Sequence, residues 1–384
     1  MTFEFATAQR IVFGPGVVRQ TGALALALGQ RPLVVTGRRV ERAEALLESL
    51  RASGLSPEVF VVAEEPSTSL VEAGVKRAKS FGADLVIGCG GGSALDAGKA
   101  IAAMLTNPGE LLDYLEVIGR GQAIKQTPAP FIAVPTTAGT GSEATRNAVL
   151  ASAEHRVKVS LRSPLMLPRI ALVDPELTFG LPADVTAATG LDALTQLLEP
   201  FVCSRPNPIV DAICREGLAR AGRALRKACQ EPSNAAARED MALASLLGGI
   251  ALANAGLGAV HGFAGPIGGM FTAPHGAVCA ALLPHACRVN IKALQSRQPQ
   301  SPVLGRYAEA AAILTGQTGL GPGGLVEYLA RLIADLRIPR LGTYSLHQRD
   351  VSEVVEKATH ASSMKANPIS LTREELTEIL EAAR

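Results

Sequence analysis

The chain has no tryptophan, and aromatic residues make up only 4% of it. That argues against a stacking surface for bases or sugars. Neither sign of charge dominates: 37 Lys and Arg stand against 35 Asp and Glu, for a formal net charge of +2. With no basic block, nucleic acid is not an implied partner. The six cysteines, at 89, 203, 214, 229, 279 and 287, form no CxxC pair. The first residues, MTFEFATAQR, show no basic start followed by an apolar run. The cysteines then read as free thiols in a reducing cytoplasm.

The most telling absence is local. From Met241 to Cys287 there is no Asp, Glu, Lys or Arg, yet His261, His275 and His285 lie there. A membrane span needs about 18–20 continuous apolar residues. Gly248, Gly249, Asn254, Gly256, Gly258, Pro266 and Pro274 interrupt this run. It reads as a buried helical core carrying a polar site, with no membrane as partner. Histidine in such surroundings is costly unless each ring nitrogen finds a partner.

What is present points to two domains, since 384 residues with 47% hydrophobic content exceed one ordinary core. EFATA and RIVFG open the chain as short strand-like pieces. PLVVTG (32–37), PEVFVVAE, ADLVIGCG (83–90) and APFIAVPT (129–136) follow as compact apolar strands. Between them ERAEALLESLRASG, SLVEAGVKRAKSFG and SALDAGKAIAAML have helical periodicity. HRVKVSL and RIALVDPEL add strand pieces. The alternation predicts an α/β N-terminal domain with a Rossmann-like parallel sheet and helices on both faces. From about Asp184 onward the pattern is helical throughout, which predicts an all-α C-terminal domain. The expected boundaries are 1–180 and 181–384.

Two turns carry the first chemical signal. GCGGGSALDAGK (88–99) follows a strand and opens a helix, offering bare backbone N–H groups and a positive dipole end to a phosphate. Such clusters also serve tight packing alone. An ATP-binding P-loop fits poorly: the spacing from Gly92 to Gly98–Lys99 is one residue too long, and Ala100 replaces the Mg-binding hydroxyl. PTTAGTGSEAT (135–145) follows the next strand and offers the hydroxyls of Thr136, Thr137, Thr140, Ser142 and Thr145. Two such turns at adjacent strand ends suit a dinucleotide.

The second signal is a donor set. LDALTQLLE puts Asp192 and Gln196 four apart on one helix face. With His261 and His275 they would supply two oxygens and two nitrogens, suited to Fe(II) or Zn(II) with a position left for substrate. Taken singly, each histidine is more often a hydrogen-bonded core residue.

GGGSALDAGK, PTTAGTGSE, VDPELTFGLP, TGLDALTQLLE and HGFAGPIGGMFTAPHGAV, in this order, resemble the iron-containing (group III) alcohol dehydrogenase family. FGPG near the start and NPISLTREELTEIL at the end extend the likeness over nearly the whole chain. The resemblance implies a dehydroquinate synthase-like fold of two domains with an interdomain cleft. It also implies a divalent metal, a nicotinamide cofactor and a small carbonyl or alcohol substrate. Asp192, His261 and His275 match its metal ligands and are expected to be catalytic. Gln196 stands where a histidine is usual, and Gly265 where many relatives carry a histidine near the nicotinamide. His285 is a family feature without a ligand role. Gly91, Gly92 and Ser93 match the pyrophosphate turn, with Asp96 in the same motif. Thr136, Thr140 and Thr145 match the nicotinamide half, and Lys158 a lysine that reaches the cofactor. NAD-preferring relatives often carry an Asp after the first strand. Here Gly37 is followed by Arg38 and Arg39, which favours NADP over NAD. A cytoplasmic homodimer is expected.

Three other readings stay open at this level. One is a maleylacetate reductase-type enzyme working without tightly bound metal. A second is a metal-dependent lyase of the dehydroquinate synthase type, and a third is a nucleotide-binding homologue without catalysis.

Overall fold

A computed structural model describes residues 2–384 and divides the chain into two compact units. The sheet unit comprises Ala6–Thr137 and Gly141–Phe179. The helical unit comprises Gly180–Arg384 together with Ala138–Thr140 and the first residues of the chain.

The sheet unit runs β1 (Arg10–Phe13), α1 (Thr21–Leu26), β2 (Pro32–Gly37), α2 (Glu44–Ala52), β3 (Glu58–Val62) and α3 (Thr68–Phe81). It continues through β4 (Leu85–Gly90), α4 (Gly92–Thr106), α5 (Leu111–Tyr114), β5 (Phe131–Pro135), β6 (Asn147–Ser152), β7 (Val157–Arg162) and β8 (Ile170–Val173). Six strands form one parallel sheet in the order β1-β8-β5-β4-β2-β3. Its central strands are apolar on both faces because both are covered. Leu33, Val35, Val86, Phe131 and Ala133 pack into a core with residues of α3 and α4. Val34, Leu85, Ile87, Ile132 and Val134 pack into a second core with residues of α1 and α2. This is the period-two alternation of a strand buried on both sides.

The chain leaves β2 for β3 on one side and returns to β4 on the other. The order therefore reverses between β2 and β4, the flavodoxin-like variant of the doubly wound sheet. In such sheets ligands bind outside the carboxyl ends of the strands at the reversal. Two expectations need correction. EFATA forms no strand, because its residues cross no neighbouring strand's hydrogen-bonding edge until Arg10 pairs with Ile170. NAVLAS, which carries no strand assignment above, is β6 and pairs antiparallel with β7. The Asp174 carboxylate accepts from the N–H groups of Gly16, Val18 and Glu176, tying the FGPG turn to the end of β8.

The helical unit runs α6 (Ala183–Val202), α7 (Pro208–Gln230), α8 (Ala235–Ala255), α9 (Ala259–Met270), α10 (His275–Arg297), α11 (Pro302–Thr315), α12 (Pro322–Asp335), α13 (Val351–His360) and α14 (Arg373–Ala383). α6 is its axis: Gly190 to Val202 is buried without a break, and α7, α8 and α10 pack on it. The charge-free run supplies the end of α8, all of α9 and the start of α10. α8 and α9 meet at a bend of 100°. α10 is long and apolar enough to cross a membrane, but 83% of its most apolar window is buried inside the protein. It is a core helix.

Candidate metal centre and cofactor turns

In the helical unit, Asp192 and Gln196 lie one turn apart on α6, 1% and 3% exposed. α9 brings His261 and the first turn of α10 brings His275. His261 Nε2 lies 3.4 Å from Asp192 Oδ1, and His275 Nε2 lies 3.7 Å from the same oxygen. Both distances are too long for good hydrogen bonds. Asp192 Oδ1, Gln196 Oε1 and His261 Nε2 are all buried without a hydrogen-bond partner. Three such orphans in one apolar core would cost several kcal/mol if nothing met them. Cys279, one turn after His275, completes the group: its Sγ lies 3.7 Å from His275 Nε2. The ligand atoms of Asp192, His261, His275 and Cys279 all lie within 4.8 Å of one another. About 2 Å bonds to oxygen and nitrogen and 2.3 Å to sulfur, in tetrahedral geometry, put ligand atoms roughly 3.3–3.6 Å apart. These residues fit a divalent ion.

A second layer aims the imidazole. Glu199, two turns after Asp192 on α6, accepts from His261 Nδ1 at 2.7 Å and from the Val260 N–H at 2.7 Å. With its proton on Nδ1, His261 presents the Nε2 lone pair to the site. Asn367 Oδ1 accepts the Ala259 N–H at 3.0 Å, so Glu199 and Asn367 together cap α9. Only glycine fits before this cap: a Cβ on Gly258 would lie 2.9 Å from both carboxamide and carboxylate oxygens. Gln196, the next turn along α6, favours the ionised Asp192 carboxylate less than His275 and His261 do. His275 is the open edge, with a third of its side chain exposed against 2% for Asp192.

The charges in the cluster act on one another. Burial lowers His261, but Cys279, Asp192 and Glu199 raise it well above its ordinary value, so a metal ion binding there would displace the Nε2 proton. Burial would raise the Asp192 carboxyl, but the facing imidazoles His275 and His261 bring it below its ordinary value. Burial likewise opposes the Cys279 thiolate, and His275 and His261 outweigh it. The other five cysteines are pushed up, chiefly by burial, Cys89 to about 12. All six are buried and unpaired by disulfides. Gln196 is joined in the site by two residues that the sequence pattern does not single out. Glu199 lies inside the LDALTQLLE stretch, seven after Asp192. Cys279 lies four after His275, on the same helix face.

In the sheet unit, the expected turns meet at the carboxyl ends of β2, β4 and β5. The Thr136 N–H donates to the Gly90 carbonyl at 2.9 Å, and a Cβ on Gly91 would lie 3.5 Å from Thr137 Oγ1. Gly90 must stay bare, because its Cβ would fall 2.6 Å from the Ala94 Cβ on α4, with the Gly37 nitrogen across the reversal next at 3.2 Å. α4 begins beyond Gly91 with no side-chain cap and no acidic residue in its first turn. Gly91, Gly92 and Ser93 are only partly buried, leaving those N–H groups open to an anion. Arg38 and Arg39 are exposed beyond Gly37. Lys158 on β7 pairs with Glu65 after β3 at 3.1 Å.

Asp96, Ser142 and Thr145, expected at the cofactor, also carry hydrogen bonds within the sheet unit. Ser142 Oγ donates to Asp96 Oδ1 at 2.5 Å, and Asp96 Oδ2 accepts the Val149 N–H at 3.0 Å. Lys99, 1% exposed, donates to the Ser142 carbonyl at 3.0 Å, to Thr145 Oγ1 at 2.9 Å and to the Asn147 carbonyl. This buried network fastens the second turn to α4. Thr140 belongs to the short Ala138–Thr140 stretch grouped with the helical unit.

A buried divalent ion that polarises a carbonyl oxygen, and a dinucleotide on a glycine turn that supplies hydride, are the working parts of metal-dependent dehydrogenases. This chain is of that class. Residues 8–175 match the family model for iron-containing alcohol dehydrogenase, and residues 186–384 match the C-terminal model of the same family. The chain is 34% identical to 1,3-propanediol dehydrogenase of Citrobacter freundii over 394 aligned positions, covering 99% of this chain and 98% of the relative. It is 30% identical to NAD-dependent methanol dehydrogenase of Bacillus methanolicus, covering 97% of each. The crystal structure of a 1,3-propanediol oxidoreductase superposes with a TM-score of 0.91 at 33% identity, with both chains fully covered. The chain belongs to the iron-containing alcohol dehydrogenase family. It is a metal-dependent, NAD(P)-linked oxidoreductase of small alcohols and aldehydes.

Proposed function

We propose that this enzyme reduces a small aldehyde or ketone with NADPH, reversibly, at a centre held by Asp192, His261 and His275. The observation that carries this reading is the convergence of orphaned Asp192 Oδ1 and His261 Nε2 with His275 and Cys279 inside the helical unit. A bound divalent ion supplies Lewis-acid polarisation of the substrate oxygen, and a bound nicotinamide supplies hydride. The chain's own residues do the rest. Glu199 fixes the tautomer and ring of His261. The part-exposed His275 edge leaves an approach for a small substrate. The surrounding apolar core excludes water from the side of Asp192 and His261. Gln196, which the sequence pattern offers as a fourth ligand, adds a buried, unpartnered neutral oxygen. Gly265 leaves no imidazole to relay a proton, so solvent reaching the His275 edge supplies it.

Gly91, Gly92 and Ser93 receive the pyrophosphate, and Thr136, Thr137, Thr140 and Lys158 line the path of the remaining cofactor. Arg38 and Arg39 recognise the 2′-phosphate. Nothing lies within 4 Å of a Cβ at Gly37, so a side chain fits there. Gly37→Asp supplies the carboxylate that accepts from a ribose 2′-OH and repels a 2′-phosphate. It should shift the NADPH/NADH ratio of kcat/KM by about tenfold or more toward NADH. An unchanged ratio would remove the arginines from cofactor choice. The maleylacetate reductase reading is weakened by the intact ligand cluster. Metal-free protein that keeps full turnover with maleylacetate under chelator would restore it. The working form is a cytoplasmic homodimer, which sedimentation of the purified protein and fractionation of cells would check.

A further inference from the structure

We infer that Cys279 is a metal ligand, supplying through its thiolate the fourth strong bond that Gln196 cannot, and that this tunes the centre toward Zn(II) rather than Fe(II). This rests on the metal-centre reading above. Cys279 is wholly buried, sits one turn beyond His275 and directs its sulfur into the cluster of orphaned atoms. Its 3.7 Å separation from His275 Nε2 matches the spacing of sulfur and nitrogen around one small ion. The ligand atom of Cys279 lies within 4.8 Å of those of Asp192 and His261 as well. An Asp–His–His–Gln set offers one neutral amide oxygen, a weak donor for a borderline ion. An Asp–His–His–Cys set offers a soft anionic sulfur, which favours zinc over high-spin ferrous iron. Binding displaces one proton, from the thiol to solvent, as the metal–sulfur bond forms.

Cobalt(II) reads the ligands independently of turnover. Purified full-length enzyme is stripped, reloaded with Co(II), and its absorption recorded. We expect visible ligand-field bands of a low-coordinate site together with a near-ultraviolet sulfur-to-cobalt charge-transfer band. In Cys279→Ser the charge-transfer band should vanish while the ligand-field bands persist, and in Gln196→Ala both should remain. Offered equal free zinc and iron, Cys279→Ser should show a zinc-to-iron ratio lower by about tenfold than the parent, measured by elemental analysis. Ligand-field bands without charge transfer in the parent would overturn the thiolate while leaving the metal centre intact. The thiolate is equally overturned if the band survives in Cys279→Ser or, should that variant not fold, in Cys279→Ala. No cobalt binding at all would sink both the ligand and the centre.

Discussion

Two buried polar clusters, one in each unit, teach different lessons. Around Lys99 the donors and acceptors close on themselves: the ammonium has three oxygen acceptors and Asp96, and Asp96 has Ser142 and the Val149 amide. Around Asp192 the pairing stays incomplete, with three buried atoms unmatched. A satisfied network rigidifies a fold, whereas an unsatisfied one in an apolar core implies something not made of protein. Both clusters sit beside residues that sequence motifs mark as functional. Only the open one has the arrangement of a site.

The contrast can be broken at either end. His261→Ala should reduce metal-supported turnover by about 1,000-fold or more, because it removes one ligand of the polarising ion. The purified variant should also carry less metal by elemental analysis. Turnover within a few-fold of the parent at full cofactor loading would contradict metal-borne catalysis. Lys99→Met should do the reverse. It takes the ammonium away from Asp96, Thr145 Oγ1 and two carbonyls and should cost about 3 kcal/mol in denaturant unfolding. Bound metal per chain should be unchanged. Metal loss in Lys99→Met, with stability intact, would mean the two clusters had been assigned the wrong way round. Glu199→Gln is subtler: it keeps the size but weakens the hold on His261 Nδ1. Metal affinity should fall about 10–100-fold by competition with a chelator, while the unfolding midpoint of the metal-loaded form barely moves.

Strand parity and helical periodicity make the fold legible because they are local. Leu33 and Val34 point to opposite cores, as a period of two requires. NAVLAS is harder: a six-residue strand whose only ladder is with β7, outside the six-stranded sheet, has no long apolar run to announce it. In the site, Asp192, His261 and His275 are legible as residue types in apolar stretches, and the structure brings them together. Glu199 and Cys279 are not, although each lies at helical spacing from a named ligand. Their significance depends on which face of α6 and α10 turns inward, and that is decided by packing. Asp96, Ser142 and Thr145 show the converse. Their motif places them at the cofactor, and only coordinates reveal that they also bond to a buried lysine and to one another.

Glu143 offers the finest test of the closed cluster. It is 2% exposed beside Lys99, and burial raises its carboxyl from 4.5 to about 7, with its own backbone N–H and Lys99 pulling part of the way back. Below about pH 4.5 the group is protonated in both folded and unfolded chains. Between there and about pH 7 the unfolded chain ionises while the folded one holds its proton. The contribution of this group to stability is therefore full below the lower value and is lost as pH rises through the upper one. Glu143→Gln cannot ionise, so its stability relative to the parent should climb across that window and level off above it. The net gain at pH 8 should be of the order of 1 kcal/mol, because Lys99 loses part of its attraction in the variant. Paired thermal melts from pH 5 to 8 measure it. A difference that stays flat would show that Glu143 is ionised throughout, and that the Lys99 cluster carries a full buried ion pair.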